Sequence, residues 1–478
     1  MTGDSSSAWR GAGWFTPKRA SVAVYMLCMF LNLLDTSSIN VALVAIGRSF
    51  EVPASHTSVI NLGYLVTVAV LIPMSGWLGE RYGTIRVIQF SLAVFVCGAV
   101  VSATAQDLTW LTAGRVVQGI GGGGLAPLAM GLLYRNFPRT ERLRIGVLTS
   151  IPIAFAPALG PVVGGMFVEF FNWRGIFLLN LPMCLLAMVI AWRFAREPDE
   201  RQERRIDLAG AAMTIVGFGG LAYALNSLSR GDASAMTLGT LGGSALVIAA
   251  LVALELRLGE RAFLDVSLLR SPVYARCVLI LALSFLAFQG FSFALPLLLQ
   301  TQLGLAALAA GIVTTCQAAG PVIGGRIGQR LLMRVGANAM FCGSQLAMVV
   351  CLAGVVAGFA GGMVWLVAVA TAVYGAGGFV STLTSQTVGF SSIPQRNLGD
   401  ASSLLQSTRQ LSGVAGIAAA AGMMAAVGAS SQTAAGAASP GNATSTALAV
   451  FGALAAAHLA AAIFARFTRL LPVPGRDD

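Results

Sequence analysis

Charge is what this sequence has least of. Only 10% of its 478 residues are charged, against about 25% in an ordinary soluble domain. There are 19 acidic residues and two histidines, and Lys18 is the only lysine among 30 basic residues. With 56% hydrophobic residues and a mean hydropathy of +0.79, too little polar surface remains for a soluble enzyme, a secreted factor or a disordered chain. The seven cysteines (Cys28, Cys97, Cys184, Cys277, Cys316, Cys342, Cys351) show no CxxC spacing and have no histidine nearby. That excludes a zinc site and a disulfide framework and leaves small buried hydrophobes. No Walker-type phosphate loop is present, so nucleotide hydrolysis cannot supply a driving force. Gly119, Gly121 and Gly124 do spell G-x-G-x-x-G. A dinucleotide loop follows a strand and opens a soluble helix, whereas apolar spanning sequence surrounds these glycines, so they are read as helix packing. No cofactor and no metal is implied. His56 and His458 have no companion in the sequence and are read as solvated or satisfied rather than as a proton relay.

What is abundant is long apolar sequence. Runs of about 20 residues, enough to cross a bilayer, recur near 20–47, 57–79, 87–105, 108–134, 143–169, 173–195, 208–229, 236–256, 274–300, 305–326, 337–358, 362–390, 400–428 and 444–466. The polar N-terminal segment precedes an apolar run too long for a signal-peptide core. The arginines test this division independently. With the N-terminus placed inside, all but five of the 30 basic residues fall in cytoplasmic segments. Arg48, Arg174 and Arg230 lie in outer loops, and Arg115 and Arg409 lie within spans. A wrong helix count would reverse that bias downstream. The net charge of +11 is therefore a topology signal and not a nucleic-acid footprint. The expected fold is an all-α membrane protein with 14 transmembrane helices and both termini cytoplasmic. The arginine excess over lysine, with abundant Ala and Gly, hints at a high-GC bacterial genome and so at a bacterial cytoplasmic membrane.

Two charged connectors, REPDERQERRID at 196–207 and the stretch carrying Glu260, Arg261, Asp265 and Arg270, divide the helices into six, two and six. This gives an N-terminal bundle over 1–206, a two-helix insert with its connector over 207–265, and a C-terminal bundle over 266–478. GWLGERYGTIR at 76–86 has a worn partner in RLLMRVG at 330–336, which suggests a duplicated six-helix unit. The likeness of GPVVGG at 160–165 to GPVIGG at 320–325 falls on helices that do not correspond under duplication, and is read as reused packing chemistry.

LLDTSSINVAL at 33–43, GWLGERYGTIR at 76–86, LTAGRVVQGIGGGG at 111–124 and APALGPVVGG at 156–165 occur in that order, followed by WRGIFLLNLP at 173–182 and LLQSTRQLSG at 404–413. Together they resemble the fourteen-helix drug:proton antiporter branch of the major facilitator superfamily, over nearly the whole chain. The resemblance implies two six-helix bundles around a central cavity, an extra helix pair between them, and alternating access. It also implies that Gly76, Glu80, Arg81, Gly83 and Arg86 form a cytoplasmic latch, and that Pro157, Gly160, Pro161, Gly164 and Gly165 form a bending point tied to antiport. Without it, the loop reads as a charged anchor whose Glu80 and Arg81 could bond helix ends near Arg142 and Arg144. The helix-five motif likewise reads as small-residue packing.

Asp35 is the one acidic residue deep inside a span; Glu169 and Glu255 sit at helix ends. An ionisable group in lipid is costly and marks a functional site. A carboxyl held between burial and a neighbouring cation can take a proton in one conformation and release it in another. Counting about 1.5 Å per residue places Asp35 roughly 17 Å and Arg115 about 10 Å below the outer face, a gap an arginine side chain covers. Asp35 and Arg115 are therefore the candidate proton-coupling pair; the alternative is a fixed structural ion pair. Asn32, Ser38, Asn40 and Gln118 are candidates for the same cavity. Arg409 either lines it or snorkels to the interface. Phe288 and Gln289 belong to an aromatic run, with Phe285, Phe291 and Phe293, that lines a lipophilic pocket or faces lipid. Two intramembrane cations against one acid lean against divalent organic cations as cargo.

The expected function is proton-driven export of lipophilic small molecules, drugs and toxic compounds included. The partners are substrate, protons and the bilayer; a monomer should suffice, and accessory envelope proteins are not legible. The alternatives are a dedicated exporter of one metabolite, siderophore, peptide or lipid, and a membrane scaffold. A scaffold has no need of intramembrane charge, and no enzymatic activity is expected.

Overall fold

The computed structural model describes residues 16–137, 155–156, 159–195, 208–229, 234–258, 266–318, 334–393, 398–434 and 440–467, with some side chains, those of Gly76 and Glu80 among them, outside the description. Regular structure among the described residues is entirely helical. It comprises α1 (Pro17–Ser49), α2 (Ser58–Tyr82), α3 (Thr84–Ala103), α4 (Leu108–Arg135), α5 (Leu159–Phe170), α6 (Arg174–Phe194) and α7 (Leu208–Ser229). It continues with α8 (Ala235–Leu258), α9 (Pro272–Thr301), α10 (Ala307–Thr315), α11 (Ala337–Gly361), α12 (Val364–Ser391), α13 (Leu398–Ala434) and α14 (Pro440–Phe467). Each expected span overlaps one of these. Ten are long and apolar enough to cross a membrane, while α2, α5, α7 and α10 contain shorter described apolar stretches.

Local chemistry sets several boundaries. Thr16 accepts a hydrogen bond from Arg19 N at 3.3 Å and Pro17 opens α1, while Asp107 accepts from Trp110 N at 2.7 Å to start α4. Between α2 and α3 the chain turns on Gly83 at φ +94°, and α11 starts from Gly336 at φ +84°. Only glycine adopts such angles without steric cost. Each of these glycines closes an Arg-x-Gly, at 81–83 and 334–336, so the likeness of the two loops includes backbone conformation at that glycine.

The packing repeats as well. In the first half α3 lies against α4 and α6, and α1 against α4 and α6. In the second half α11 lies against α12 and α14, and α9 against α12 and α14. Helices α7 and α8 pair with each other, and α7 rests on both α2 and α13. The halves meet through α2 with α13 and α1 with α9. A Cβ on Gly165 would stand 2.6 Å from Leu308 Cα, and one on Gly311 would overlap Pro161, which joins α5 to α10. Gln300 Nε2 donates to Val41 O at 2.9 Å and Leu308 N to Glu169 Oε2 at 3.2 Å. Both bonds between halves lie at the end of the molecule where α1 and α9 finish.

The glycines of α4 hold it against its neighbours. Gly98 of α3 leaves no space for a Cβ beside Gln118, Gly121 none beside Phe95, and Gly119 abuts Tyr64 and Thr67 of α2. The G-x-G-x-x-G run is thus a helix-packing surface. Replacing Gly121 by Val should cost about 1–3 kcal/mol of stability through overpacking. Gly131→Ala, at a position with no neighbour within 4 Å, should be neutral or slightly stabilising. Thermal unfolding of the purified variants in detergent checks both.

Candidate functional site

Five helices of the first half converge on Asp35. The residue is 1% exposed on α1, and Arg115, on α4, is fully buried. Arg115 Nη1 donates to Asp35 Oδ2 at 2.5 Å, and Asn180 Nδ2 of α6 donates to Oδ1 at 2.6 Å, so each carboxylate oxygen has a partner. The same Nη1 donates to Gln118 Oε1 at 3.0 Å, which also accepts from Ser102 Oγ of α3 at 3.3 Å. The Tyr64 ring of α2 lies 4.2 Å from Arg115 Cζ, and its hydroxyl donates to Asn32 Oδ1 at 2.7 Å. Asn32 Nδ2 in turn donates to Gly122 O at 3.0 Å. Arg115 Nε and Nη2 and Gln118 Nε2 are buried without an acceptor among the described residues. A guanidinium has five donors, and the described residues do not saturate this one.

The pair is neutral while Asp35 is ionised. Protonating Asp35 would leave a buried guanidinium without its counter-charge, which costs several kcal/mol in a medium of low dielectric. One ionised carboxylate thus ties α1 to both α4 and α6.

The other residues singled out from the sequence are placed differently. Asn40 lies five positions beyond Asp35, about 140° round the helix. It accepts from Asn61 Nδ2 of α2 at 2.7 Å and makes no bond to the carboxylate. The Ser38 hydroxyl donates to Leu34 O of its own helix at 2.7 Å. Gly160 and Gly164 press α5 onto Ser37 and Ser38, with no room for a side chain at either glycine. Pro161 and Gly165 meet α10, and Pro157 lies outside the described residues. Arg81, in the last turn of α2, and Arg86, in the first turn of α3, are exposed. The Glu80 side chain and its expected neighbours Arg142 and Arg144 fall outside the description. Phe288, Gln289 and Arg409 cluster in the second half around Phe285 of α9, with Arg409 Cζ 4.9 Å from the Phe285 ring.

The second half also carries a buried neutral network that sequence reasoning missed. Gln345 Nε2 of α11 donates to Ser284 Oγ at 2.6 Å and to Ser381 Oγ at 2.9 Å. Gln345 Oε1 lies 2.7 Å from His458 Nδ1, and His458 Nε2 lies 2.9 Å from the Tyr374 hydroxyl. Because the Ser284 hydroxyl donates to Ile280 O, it accepts from the Gln345 amide. Gln345 Oε1 then accepts from Nδ1–H of His458, and Tyr374 donates to Nε2. His458 is thus a satisfied core histidine. The helices involved, α9, α11, α12 and α14, correspond to α1, α3, α4 and α6.

The sequence model described as Major Facilitator Superfamily matches residues 25–417. The chain is 26% identical over 403 residues to lincomycin resistance protein LmrB of Listeria monocytogenes, covering 83% of this chain and 84% of that one. It is 28% identical over 401 residues to a protein of Pectobacterium atrosepticum named as multidrug resistance protein MdtD, covering 81% and 83%. Among solved structures, that of a D-xylose–proton symporter superposes with a TM-score of 0.68 at 14% identity, covering 95% of this chain and 98% of that one.

If the ion pair is coupled as its geometry requires, Arg115→Leu, which strands the buried carboxylate, should destabilise the protein by about 3–5 kcal/mol. The double variant Asp35→Asn/Arg115→Leu should lose less than that single change. Unfolding midpoints in detergent micelles compare these with Asp35→Asn alone; a double-variant loss equal to the sum of the two single losses would show that the two groups do not interact energetically.

Proposed function

This chain belongs to the major facilitator superfamily, a family of transporters, and on that premise we propose that it is a proton-coupled antiporter exporting lipophilic small molecules across a bacterial cytoplasmic membrane. The observation that carries the reading is the buried Asp35, bound at once to Arg115 and Asn180 inside a spanning helix. A carboxylate placed there is costly unless its ionisation does something. In the proposed cycle, ionised Asp35 holds α4 and α6 through its two oxygens. Protonation from the outer side weakens both bonds, lets the helices part, and is reversed when the site faces the cytoplasm. Asp35 is the proton-binding residue, and Arg115, Gln118 and Asn180 are positioning residues.

The topology that fits this cycle has 14 spans, two bundles over 1–206 and 266–478, the insert over 207–265, and cytoplasmic termini. The arginine distribution supports it, and so does the repeated packing of α1, α3, α4 and α6 in α9, α11, α12 and α14. On that topology the bonds Gln300–Val41 and Leu308–Glu169 close the outer face, leaving the cytoplasmic side as the loading side. The segment Gly76–Arg86 would then latch the cytoplasmic face in the opposite state, and the α5 motif would carry the movement between them. The relatives named for lincomycin and multidrug resistance favour drug-like cargo over a scaffold role.

The test is dye efflux from cells lacking their own pumps, comparing wild type, Asp35→Asn and wild type with a protonophore at matched membrane expression. Efflux should collapse with either treatment. Efflux that survives Asp35→Asn would remove Asp35 as the proton site. Efflux that ignores the protonophore would make the protein an uncoupled carrier.

A further inference from the structure

Arg409 has no place in the proton network, yet it is the harder charge to account for. It lies within Leu404–Val427, the stretch of α13 long and apolar enough to cross a membrane. Among the described residues it has no carboxylate partner, and its Nε is buried without an acceptor. Its neighbour is the Phe285 ring, 4.9 Å from Cζ. The residue as a whole is half-buried, and a cation–π contact offsets only part of the cost of the portion withdrawn from water.

Its surroundings are ordered along two helices. Gly413, one turn beyond Arg409, lies where a Cβ would be 3.0 Å from Gln289 Cγ and 3.4 Å from Phe285 Cε1. Gln289 is itself one turn beyond Phe285 on α9. Arg409 with Phe285 and Gly413 with Gln289 are therefore successive rungs of one helix contact. Higher up the backbones touch, with a Cβ on Gly290 only 2.8 Å from Gly416 O. A Cβ on Gly416 would also overlap Leu286 O, so the backbones touch over the turn from Leu286 to Gly290, with Arg409 and Phe285 on the side of that contact away from Gly290. Gln289 is about three turns from Gln300, on the same face of α9. Gln300 bonds Val41 of α1, so this face looks toward the other half of the protein and not toward lipid. Gln289 is half-buried, and its amide makes no hydrogen bond among the described residues. Phe288 stacks on Phe285 (5.9 Å, 19°) and on Tyr374 (5.9 Å, 9°), forming a ladder of three rings from α9 to α12.

We propose that Arg409, Gln289 and the Phe285–Phe288–Tyr374 ladder bind an aromatic anion, its carboxylate, sulfonate or phenolate on the guanidinium and its ring system against the ladder. The charge inventory argues for that sign. Asp35 and Arg115 neutralise each other and Glu255 sits at the end of its span, so Arg409 is a mid-span cation with no carboxylate partner among the described residues, and a cationic ligand would add a second. A planar donor fork suits an oxyanion, and an open amide beside it can serve the same group. The assignment narrows the exporter reading to weak-acid cargo and rests on that reading for its physiological meaning.

The experiment is equilibrium binding to the full-length protein in zwitterionic lipid nanodiscs, by titration calorimetry with empty nanodiscs subtracted. The probes are a naphthalene carboxylate and a naphthyl trimethylammonium matched in ring size. Wild type should bind the carboxylate in preference to the cation. Arg409→Gln should weaken carboxylate binding about 10- to 100-fold, the range for a charged hydrogen-bonded partner, without weakening the cation. Arg409→Lys should fall between. No carboxylate binding by wild type, a preference for the cation, or equal carboxylate affinity in Arg409→Gln would each overturn the proposal. Should Arg409→Gln fail to fold, Gln289→Ala and Phe285→Leu decide in the same way. Binding at equilibrium needs no proton gradient, so failure of Asp35 as the coupling residue leaves this result standing. Absence of anion binding likewise leaves proton-coupled export of other compounds standing.

Discussion

A carboxylate and a guanidinium held against each other inside a stack of apolar helices set the terms for the first half of this protein. Neither charge could stay there alone, and together they are tolerable only if their remaining lone pairs and donors are met. The surrounding residues follow from that need. Asn180 is drawn from α6 to the second carboxylate oxygen, and Gln118 turns back along α4 to the guanidinium. Ser102 can reach Gln118 because Gly98 and Gly114 let α3 and α4 approach to backbone contact. The Tyr64 ring can cover the guanidinium because Gly119 removes the side chain that would hold α2 away.

The second half solves the same packing problem without charge. At the helices corresponding to α1, α3, α4 and α6, a glutamine, a histidine, a tyrosine and two serines satisfy one another. A duplicated scaffold thus holds one network built around a charged pair and one whose neutral donors and acceptors already match. The two halves therefore differ in charge at matching places: one buries an ion pair, the other only neutral polar groups.

Much of this was legible in the sequence, for identifiable reasons. Asp35 and Arg115 stand out because charge is rare in apolar runs, and helix rise alone brings them to similar depth. The arginine-rich connectors delimit the helices because lipid forbids them elsewhere. What stayed hidden depends on azimuth and on which helices touch. Asn180 sits within WRGIFLLNLP, but nothing local says that its face of α6 meets α1. Asn40 looks like a neighbour of Asp35 until the turn of the helix carries it round to Asn61. His458 looks isolated because its partners Gln345 and Tyr374 arrive from two other helices, 113 and 84 residues away.

The contacts of α5 have a mechanical consequence. Gly160 and Gly164 rest on Ser37 and Ser38, Gly165 on Leu308, and Gly311 on Pro161, so at these points α5 meets both halves across glycines that put no side chain into the contact. Interdigitated cores are bistable and must be repacked to move; a smooth surface can slide. Such a joint works as a low-friction bearing. Relative motion of the halves there is resisted mainly by the few discrete bonds that bridge them, so it should begin as an unlatching and not as a melting of the interface.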